Sequence, residues 1–394
     1  MLISLSDLGT SIINLMGNSD EISETQEAKV YCDKSVMILL PEWKGILGRS
    51  LSGPRAISDF TGLKEREITE VCKRYPALIN PYYLSLVKEK NDPIYKQCIP
   101  SKEELSDDFG QEDPLHEDPE HQKRLGVPSL VTHRYPDRIL FRVSNQCAMY
   151  CRFCTRKRKV GDVNKQPTWK EILQALDYIR AHEEIRDVLL SGGDPLMLND
   201  VLLEKIIKEV HFILRNRKNS IIRIGTRMPC VLPQRITPEL CAIFKRYHPL
   251  YINTHFNHPN EITPESRRAC EMLADHGIPV GSQSVLLKGV NDDPQVMKEL
   301  MQGLVSMRVR PYYIYQADPV KGTNHFRTRV EKGQEIYRAI RGHTSGLCVP
   351  TYVIDAPDGG GKVPAIPSYI QEITYEKVVM RNFEGNLHEY PQIK

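Results

Sequence analysis

The chain has 394 residues and a formal net charge of +3, with 40% hydrophobic and 26% charged residues. A chain of this length can form one large α/β domain with extensions or two domains, and its composition is that of an ordinary globular protein. The small net charge gives no argument for a nucleic-acid partner or an anionic membrane.

Neither a signal peptide nor a membrane span is predicted. The first residues, MLISLSDLGTSIINLMG, lack a basic n-region and include Asp7, and no apolar run approaches membrane-spanning length. The ten cysteines are scattered along a large chain rather than concentrated in a small disulfide scaffold. These features predict a cytoplasmic protein whose thiols are reduced and available for metal.

Three regions are predicted along the chain. Residues 1 to about 100 are expected to form helical segments broken by SGP and NDP, and the acidic stretch EELSDDFGQEDPLHEDPEHQ follows them. Its low apolar content predicts a solvated loop that wraps the next domain. We therefore divide the chain into a helical N-terminal extension with an acidic wrapping loop (1–130), a central domain (131–345) and a C-terminal segment (346–394).

From residue 138 onward, short β-rich runs alternate with amphipathic stretches of helical length, which predicts βα units and a parallel sheet. The predicted strands are RILFRVS, DVLLS, IIRIGT, LYINTHF, PVGSQSVLL, RPYYIYQ and VPTYVID. The helices between them include TWKEILQALDYIRAH, DVLLEKIIKEVHFILR, TPELCAIFKRY and TPESRRACEMLADHG. Six strand–helix units and a further strand predict an incomplete (β/α)6 TIM-like barrel, and a doubly wound open sheet is the competing arrangement.

Unusual residues follow the predicted strand ends and favour the barrel. In a barrel these loops converge on one mouth, whereas an open sheet would spread them along an edge. The motifs are CAMYCRFC (147–154), SGGD (191–194), GTRMP (225–229), THFNHPN (254–260), GVNDD (289–293), QAD (316–318) and DAPDGGGK (355–362).

Cys147, Cys151 and Cys154 follow the first barrel strand with the spacing Cys-x3-Cys-x2-Cys. Three thiolates can hold three irons of a [4Fe–4S] cluster and leave one iron open, whereas structural zinc usually takes four ligands. The spacing, the first-strand position and the SGGD motif resemble the radical S-adenosylmethionine (radical SAM) superfamily, in which the open iron binds that cofactor. The alternatives are a zinc site completed by a distant histidine, and unligated core cysteines.

A basic run, RKRK (156–159), and Arg152 adjoin the cysteines. One interpretation is a nucleic-acid patch. We favour compensation of the charges on the thiolates, sulfides, carboxylates and phosphate expected in the mouth. No aromatic-interleaved basic surface is predicted elsewhere in the chain.

The motif DAPDGGGK ends in Lys362 and is not a P-loop, because its spacer is wrong and Val363 rather than Ser or Thr follows the lysine. A glycine turn that delivers one lysine into a cavity suits a Schiff-base lysine. The alternative is a flexible, solvent-exposed turn.

Many motifs in order resemble the lysine 2,3-aminomutase family, from PALINPYYLSL near residue 76 to RNFEG near 385; they include VLPQRITPEL, NTHFNHPNEIT, RGHTSG and the motifs above. The resemblance implies a radical SAM partial barrel that moves the α-amino group of L-lysine to Cβ, giving β-lysine. The implied cofactors are a [4Fe–4S] cluster, S-adenosylmethionine and pyridoxal phosphate. The implied partners are a flavodoxin- or ferredoxin-type electron donor and further copies of the chain in a homo-oligomer. The alternatives are the same chemistry on arginine or glutamate, and a zinc-binding α/β protein without redox chemistry.

The resemblance also assigns roles to individual residues. The three cysteines ligate the cluster, and Lys362 carries pyridoxal phosphate. Arg156 pairs with the substrate α-carboxylate, while Asp318 and Asp355 hold the ε-ammonium group. Further cofactor contacts are implied for Arg134, Tyr135 and Arg138 (pyridoxal phosphate), for Ser191, Gly192, Gly193 and Asp194 (S-adenosylmethionine), and for His255 and Gln283 as polar contacts.

Two departures from the family pattern are visible. Members commonly carry a cysteine after GVND and a C-terminal cysteine cluster that together bind an intersubunit zinc. Here Asp293 stands after GVND and no cysteine follows Cys348, so we expect no structural zinc. Asp358 also stands in DAPDGGGK where glycine is usual.

Overall fold

The computed structural model describes residues 41–107 and 109–393, so the predictions for residues 1–40 lie outside the described range. The helical N-terminal extension is confirmed where it is described. It contains helices α1 to α5 (Glu42–Leu47, Pro54–Thr61, Glu65–Arg74, Pro81–Ser85, Pro93–Cys98), the short strands β1 and β2 (Leu51–Ser52, Leu78–Ile79) and helix α6 (Pro119–Arg124).

A nine-stranded sheet forms the central domain, with the order β11-β10-β9-β8-β7-β6-β5-β4-β3. The strands are β3 (Val131–Tyr135), β4 (Arg138–Ser144), β5 (Asp187–Gly192), β6 (Ile221–Gly225), β7 (Leu250–Thr254), β8 (Val280–Leu286), β9 (Val309–Gln316), β10 (Thr351–Ala356) and β11 (Gly361–Pro364). Strands β4 to β10 run parallel, whereas the two edge strands are antiparallel to their neighbours. The seven predicted strands are confirmed as β4 to β10.

Helices cover the outer face of this sheet. They are α7 (Trp169–Ala181), α8 (Asp200–Leu214), α9 (Met228–Val231), α10 (Pro238–Lys245), α11 (Pro264–Asp275), α12 (Pro294–Ser306) and α13 (Val330–Ile340). Helix α8 illustrates the packing: Leu203, Ile206 and Val210 recur at helical spacing and are fully buried. Each such side chain contributes about 1.5–3 kcal/mol by leaving water, which holds the helix on the sheet.

The edges of the sheet meet, so the sheet is a partial barrel. The Tyr135 hydroxyl on β3 accepts a hydrogen bond from the backbone N–H of Lys362 on β11, at 2.9 Å. Arg134 Nη1 on β3 lies 3.9 Å from Asp355 Oδ1 on β10. In a flat sheet, eight strand spacings would separate the edges by about 38 Å. The incomplete barrel is therefore confirmed, and the open-sheet alternative is wrong.

The acidic segment is solvated only in part, because two of its acids are buried while others, such as Glu112 and Glu120, are exposed. Glu104 is 1% exposed and accepts hydrogen bonds from Arg152 Nε at 2.9 Å and Lys157 Nζ at 2.7 Å. Asp107 is also buried, and its carboxylate accepts the backbone N–H groups of residues 322 to 324. The prediction failed for these two acids because acidic composition favours solvent only when no cation is available inside the fold.

The same ion pairs account for the basic run. The side chains of Arg152 and Lys157 are only 2% and 4% exposed. Arg158 pairs with Asp113 at 2.9 Å and with Asp118 at 2.6 Å. Carboxylates of the acidic segment thus neutralise these cations within the protein, which our interpretation did not include. Side chains buried in this way cannot form a nucleic-acid patch.

The chain ends in a separate three-stranded antiparallel sheet, whose residues are mostly exposed: β12 (Ile370–Ile373), β13 (Lys377–Arg381) and β14 (Leu387–Pro391). The lysine-bearing hairpin of β10 and β11 belongs to the main sheet. The region limits at 130 and 345 stay a prediction. Among the described residues, no helix combines the length and apolar character needed to cross a membrane.

Candidate active site

The three predicted cluster ligands lie on the loop that follows β4. The N-terminal extension anchors this loop, because Tyr150 donates its backbone N–H to Leu78 and Arg152 donates its own to Gln97, both at 2.9 Å. All three cysteines are partly exposed free thiols. Burial, with the nearby Asp194 carboxylate, raises the pKa of the Cys147 thiol, and bound iron would counter that shift.

The described residues contain no group of three or more His, Cys, Asp or Glu side chains close enough to hold one metal ion. Ligands of a [4Fe–4S] cluster bind different irons, so they need not converge on one point. The donor set of three thiols on one short loop therefore fits a cluster with one open iron.

The SGGD loop after β5 packs directly against the cysteine loop. The backbone N–H of Gly193 donates to Ser144 at 2.6 Å, and that of Asp194 donates to Gln146 at 2.7 Å. A Cβ atom on either Gly192 or Gly193 would overlap the backbone of residues 144–146. Glycine is therefore required for the two loops to approach, which places both glycines against the residues that lead into Cys147. Contacts of Ser191, Gly192 and Gly193 with S-adenosylmethionine stay predictions.

Asp194 is buried, and both of its carboxylate oxygens are used within the protein. They accept hydrogen bonds from the Thr226 hydroxyl at 2.8 and 2.9 Å and from the Arg227 backbone N–H at 2.8 Å. The backbone N–H of Leu196 adds a third donor at 3.0 Å. Asp194 thus fastens the loop after β5 to the loop after β6, and its contact with S-adenosylmethionine stays a prediction.

Lys362 lies in the mouth opposite Asp355, its cross-strand partner on β10. Its Nζ is 3.1 Å from Asp355 Oδ1, and the centroid of the Tyr315 ring is 5.3 Å from the same nitrogen. The lysine side chain is 28% exposed, whereas that of Asp355 is 7% exposed. An accessible amine beside a buried carboxylate and an aromatic ring fits a pyridoxal phosphate site.

The turn before Lys362 needs left-handed backbone conformations. Gly359 and Gly361 have φ values of 77° and 85°, and Asp358 has a φ of 56°. Aspartate is among the residues that tolerate this region. Its carboxylate also lies 3.3 Å from His116 Nε2. The family departure at Asp358 is therefore accommodated with Lys362 still in the mouth.

The predicted pyridoxal phosphate contacts lie together beside Lys362. The Tyr135 hydroxyl accepts the hydrogen bond from the Lys362 backbone N–H, and the Arg138 guanidinium stacks 4.0 Å from the centroid of the Tyr135 ring. Arg134 adjoins Asp355 and has a 16% exposed side chain. Two arginines and a tyrosine around one lysine are suited to binding a phosphate.

Asp318 follows β9, and burial together with the Asp355 carboxylate raises its pKa to about 7. The positive charge of Lys362 acts in the opposite direction. The charge of Asp355 thus acts on Asp318, which is partly buried, whereas Asp355 is buried and already pairs with Lys362 Nζ at 3.1 Å. A further cation could stabilise these two carboxylates, and their role as the ammonium site stays a prediction.

Arg156 also lies in the mouth, but a protein carboxylate already occupies one of its edges. Its Nε and Nη2 donate to the two oxygens of Glu117 at 2.7 and 2.9 Å, and its Nη1 donates to the Gly192 carbonyl at 3.1 Å. The Glu117 side chain is 12% exposed. A substrate carboxylate would have to share this guanidinium with Glu117.

The two weaker predicted contacts differ in their surroundings. His255 Nε2 lies 2.9 Å from Asn257 Oδ1, and its ring centroid is 5.5 Å from that of Phe153. Burial lowers the pKa of His255 to about 3, so its imidazole is neutral. Gln283 is half-buried on β8. Their cofactor contacts stay predictions.

The comparisons with known proteins agree with this geometry. A model of the lysine-2,3-aminomutase family matches residues 337–394, and one of the radical SAM superfamily matches residues 141–301. The chain is 51% identical to the L-lysine 2,3-aminomutase of Methanococcus maripaludis, across 89% of this chain and 81% of that protein. The chain belongs to the lysine 2,3-aminomutase family.

Two other relatives show the range of the family. The L-lysine 2,3-aminomutase of Clostridium subterminale is 53% identical, over 84% of this chain and 79% of that protein. The glutamate 2,3-aminomutase of Clostridioides difficile is 47% identical, over 82% of this chain and 76% of that protein. Family membership makes the chain a radical SAM enzyme of the isomerase class, which uses a [4Fe–4S] cluster and S-adenosylmethionine.

Three residues of the mouth escaped the sequence analysis. Along β9, Tyr315 lies between the buried Ile314 and Gln316, so its side chain points to the opposite face of the sheet. That alternation alone could have predicted that Tyr315 faces the inside of the barrel. Arg227 belongs to a motif that we noted without giving it a role. Glu117 carried no signal, because its segment was interpreted as solvated.

The structure also accounts for the residue that replaces the family cysteine after GVND. Asp293 is the N-cap of α12, and its carboxylate accepts the backbone N–H groups of Gln295 and Val296 at 2.8 and 3.0 Å. The residue therefore stabilises a helix start. The expectation that no structural zinc is bound stays a prediction.

Proposed function

We propose that this member of the family is an L-lysine 2,3-aminomutase that uses pyridoxal phosphate and converts L-lysine to β-lysine. The observation that carries the proposal is the buried Asp355 carboxylate, 3.1 Å from Lys362 Nζ in the barrel mouth, whose charge acts on the partly buried Asp318. Relatives from five organisms that are 49–55% identical carry the name L-lysine 2,3-aminomutase, which supports it.

The residues present fit the cofactors of this reaction. Cys147, Cys151 and Cys154 would hold the cluster, and Lys362 would bind the aldehyde carbon of pyridoxal phosphate. When bound, the cluster and S-adenosylmethionine supply a carbon radical that removes hydrogen, and pyridoxal phosphate holds the amino group that moves. With substrate and cofactors bound, the barrel mouth would position the reacting groups and keep water from them.

The chain recognises the two ends of the substrate with groups of opposite charge. Arg156 donates from Nε and Nη2 to Glu117 and from Nη1 to the Gly192 carbonyl, so the α-carboxylate would pair with the N–H groups of Nη1 and Nη2 that remain. Asp318 and Asp355 can take the ε-ammonium group. Because Glu117 holds Arg156 by two hydrogen bonds, the guanidinium is oriented before substrate arrives.

The acid pair distinguishes the candidate substrates. Glutamate would add a third carboxylate beside Asp318 and Asp355, and the repulsion should exclude it. The guanidinium of arginine is longer and planar, so it would need a deeper pocket than a compact ammonium group. We therefore expect the highest kcat/KM for lysine, a lower value for arginine and the lowest for glutamate.

An Asp355→Asn substitution tests this assignment. We expect more than a tenfold loss of kcat/KM for lysine under anaerobic turnover, since breaking a buried charge pair costs roughly 2–5 kcal/mol. Asp275→Asn, which removes a surface partner of Arg308, is the control and should change little. Absorption of bound pyridoxal phosphate separates loss of substrate binding from disturbance of Lys362. Unchanged kcat/KM in Asp355→Asn would refute the ammonium site.

The pH dependence of lysine binding should report on Asp318. Its carboxylate faces Asp355 and Lys362 on the hairpin, Arg134 on β3, and Glu117, and its pKa is about 7. A raised pKa means that the carboxyl is neutral below pH 7 and ionised above it, while the lysine ε-ammonium stays charged to about pH 10. KM for lysine should therefore fall about tenfold from pH 6 to pH 8. Asp318→Asn should flatten this profile; a profile equally steep in the variant would contradict the assignment.

The partners and location are inferred from the same chemistry. A cluster that must be reduced by one electron requires a low-potential donor, and a flavodoxin- or ferredoxin-type protein suits it. A cytoplasmic location agrees with the reduced thiols that the site needs, and the family resemblance implies a homo-oligomer. Both are part of the proposal.

A further inference from the structure

Arg227 is a buried cation in direct contact with one of the predicted cluster ligands. It follows β6, and its Nη1 lies 2.8 Å from Cys151 Sγ. Its side chain is 9% exposed, and its guanidinium carbon lies 5.1 Å from the centroid of the Phe153 ring. An arginine at this depth is protonated at any working pH.

The orientation of Arg227 is fixed by hydrogen bonds from Nη2 and from its backbone, while its buried Nε has no partner within the described residues. Its Nη2 donates to Glu261 and to the Gln97 side chain, both at 2.7 Å, and its backbone N–H is held by Asp194. The guanidinium therefore cannot turn away from Cys151 without breaking several buried hydrogen bonds, each costly to leave unmade.

Glu261 is fixed in turn as the negative end of this ion pair. It is fully buried and accepts hydrogen bonds from the Tyr83 hydroxyl at 2.6 Å and from the backbone N–H groups of Asn257 and His258 at 2.5 and 3.0 Å. The pair is thus oriented, with its positive end at the sulfur of Cys151 and its negative end farther away.

We propose that Arg227 raises the reduction potential of the cluster by donating a charge-assisted hydrogen bond to the Cys151 sulfur. The inference rests on the proposed function only in that Cys151 must ligate the cluster. On reduction, the cluster takes one electron from a low-potential one-electron donor, and no bond or proton is exchanged. Hydrogen bonds to cluster sulfurs and nearby positive charge favour the reduced state. Glu261 opposes the effect from the far side of the guanidinium.

Two substitutions of opposite sign test the proposal in the anaerobically reconstituted protein. Redox titration followed by electron paramagnetic resonance gives the midpoint potential of each variant. Arg227→Gln should disfavour cluster reduction at least tenfold, which is 59 mV toward negative potential for a one-electron couple. Glu261→Gln should shift the potential in the positive direction. A merely structural role would not give shifts of opposite sign.

Arg235→Gln is the matched control, because Arg235 is also a buried arginine, paired with Asp200 and packed on Trp43, and it donates to the Leu196 and Leu198 carbonyls rather than to a cysteine sulfur. The midpoint potential of the cluster in Arg235→Gln should equal that in the unmodified protein. Iron content and thermal unfolding are measured for every variant. If Arg227→Gln does not retain its cluster, the midpoint potential of Glu261→Gln tests the proposal, and Arg227→Lys shows whether a cation at this position restores the cluster.

A midpoint potential equal to that of the unmodified protein in Arg227→Gln, or in Glu261→Gln where Arg227→Gln holds no cluster, would overturn the inference. So would a shift of the same sign and size in the Arg235→Gln control. If the unmodified protein assembles no [4Fe–4S] cluster at all, the proposed function fails instead, and the two failures are thereby distinguished.

Discussion

Replacing Cys151 with alanine should abolish both turnover of lysine and the cluster signal, while pyridoxal phosphate binding survives. The variant would keep only two of the three thiolates that ligate the cluster, and the Arg227 guanidinium would lose the sulfur atom to which it donates a hydrogen bond. The pyridoxal phosphate residues sit on β3, β4 and β11 and do not depend on this thiol. Iron analysis, electron paramagnetic resonance and the absorption of bound pyridoxal phosphate measure the three properties in one sample.

The control for this variant is Cys241→Ala. Cys241 is a fully buried thiol on α10, so its replacement tests the general cost of removing a buried cysteine. It should keep the cluster and most of the activity. Full iron content in Cys151→Ala, or loss of both cofactors together, would show that the cysteine loop has been assigned wrongly.

Lys362→Ala should give the reciprocal result, with iron retained, the covalent link to pyridoxal phosphate gone and activity reduced by orders of magnitude. No other amine can reach the same carbon from the turn, because positive φ values at Asp358, Gly359 and Gly361 deliver one lysine into the mouth. Borohydride reduction followed by mass analysis of peptides locates the linkage.

Lys377→Ala on β13 is the matched control. Lys377 lies in the same C-terminal region but is partnered with Glu389 on the exposed sheet. Its loss should leave the linkage and the activity unchanged. A borohydride-reducible linkage that persists in Lys362→Ala would mean that another amine carries the cofactor.

The sequence predicted the repeating units of the barrel but not its edges. Strands β4 to β10 are hydrophobic runs that alternate with amphipathic helices, so periodicity finds them. Strand β11, with the sequence GKVP, contains a glycine and a proline, and it is a strand only because it pairs with β10. Pairing of this kind is tertiary, and local propensity cannot show it.

In the candidate site, too, some features could be predicted from local sequence patterns and others depend on tertiary contacts. The cysteines, the glycines and Lys362 were visible because their chemistry is tied to spacing and to strand ends. The partner of Arg156 was not visible, because Glu117 is 39 residues away in a segment whose composition suggested solvent. Arg227 was visible only as part of a motif, since its contact with Cys151 depends on how two loops pack. Which charged residues form ion pairs with each other depends on the tertiary structure, so the sequence pattern alone cannot show it.

The central claim is that this member of the family moves the amino group of lysine rather than that of glutamate or arginine. The most direct measurement is anaerobic turnover of the reconstituted protein with each amino acid, with product identification and kcat/KM. The account predicts β-lysine from lysine, a lower kcat/KM for arginine and negligible product from glutamate. Efficient conversion of glutamate, or no amino migration with any of the three, would contradict it.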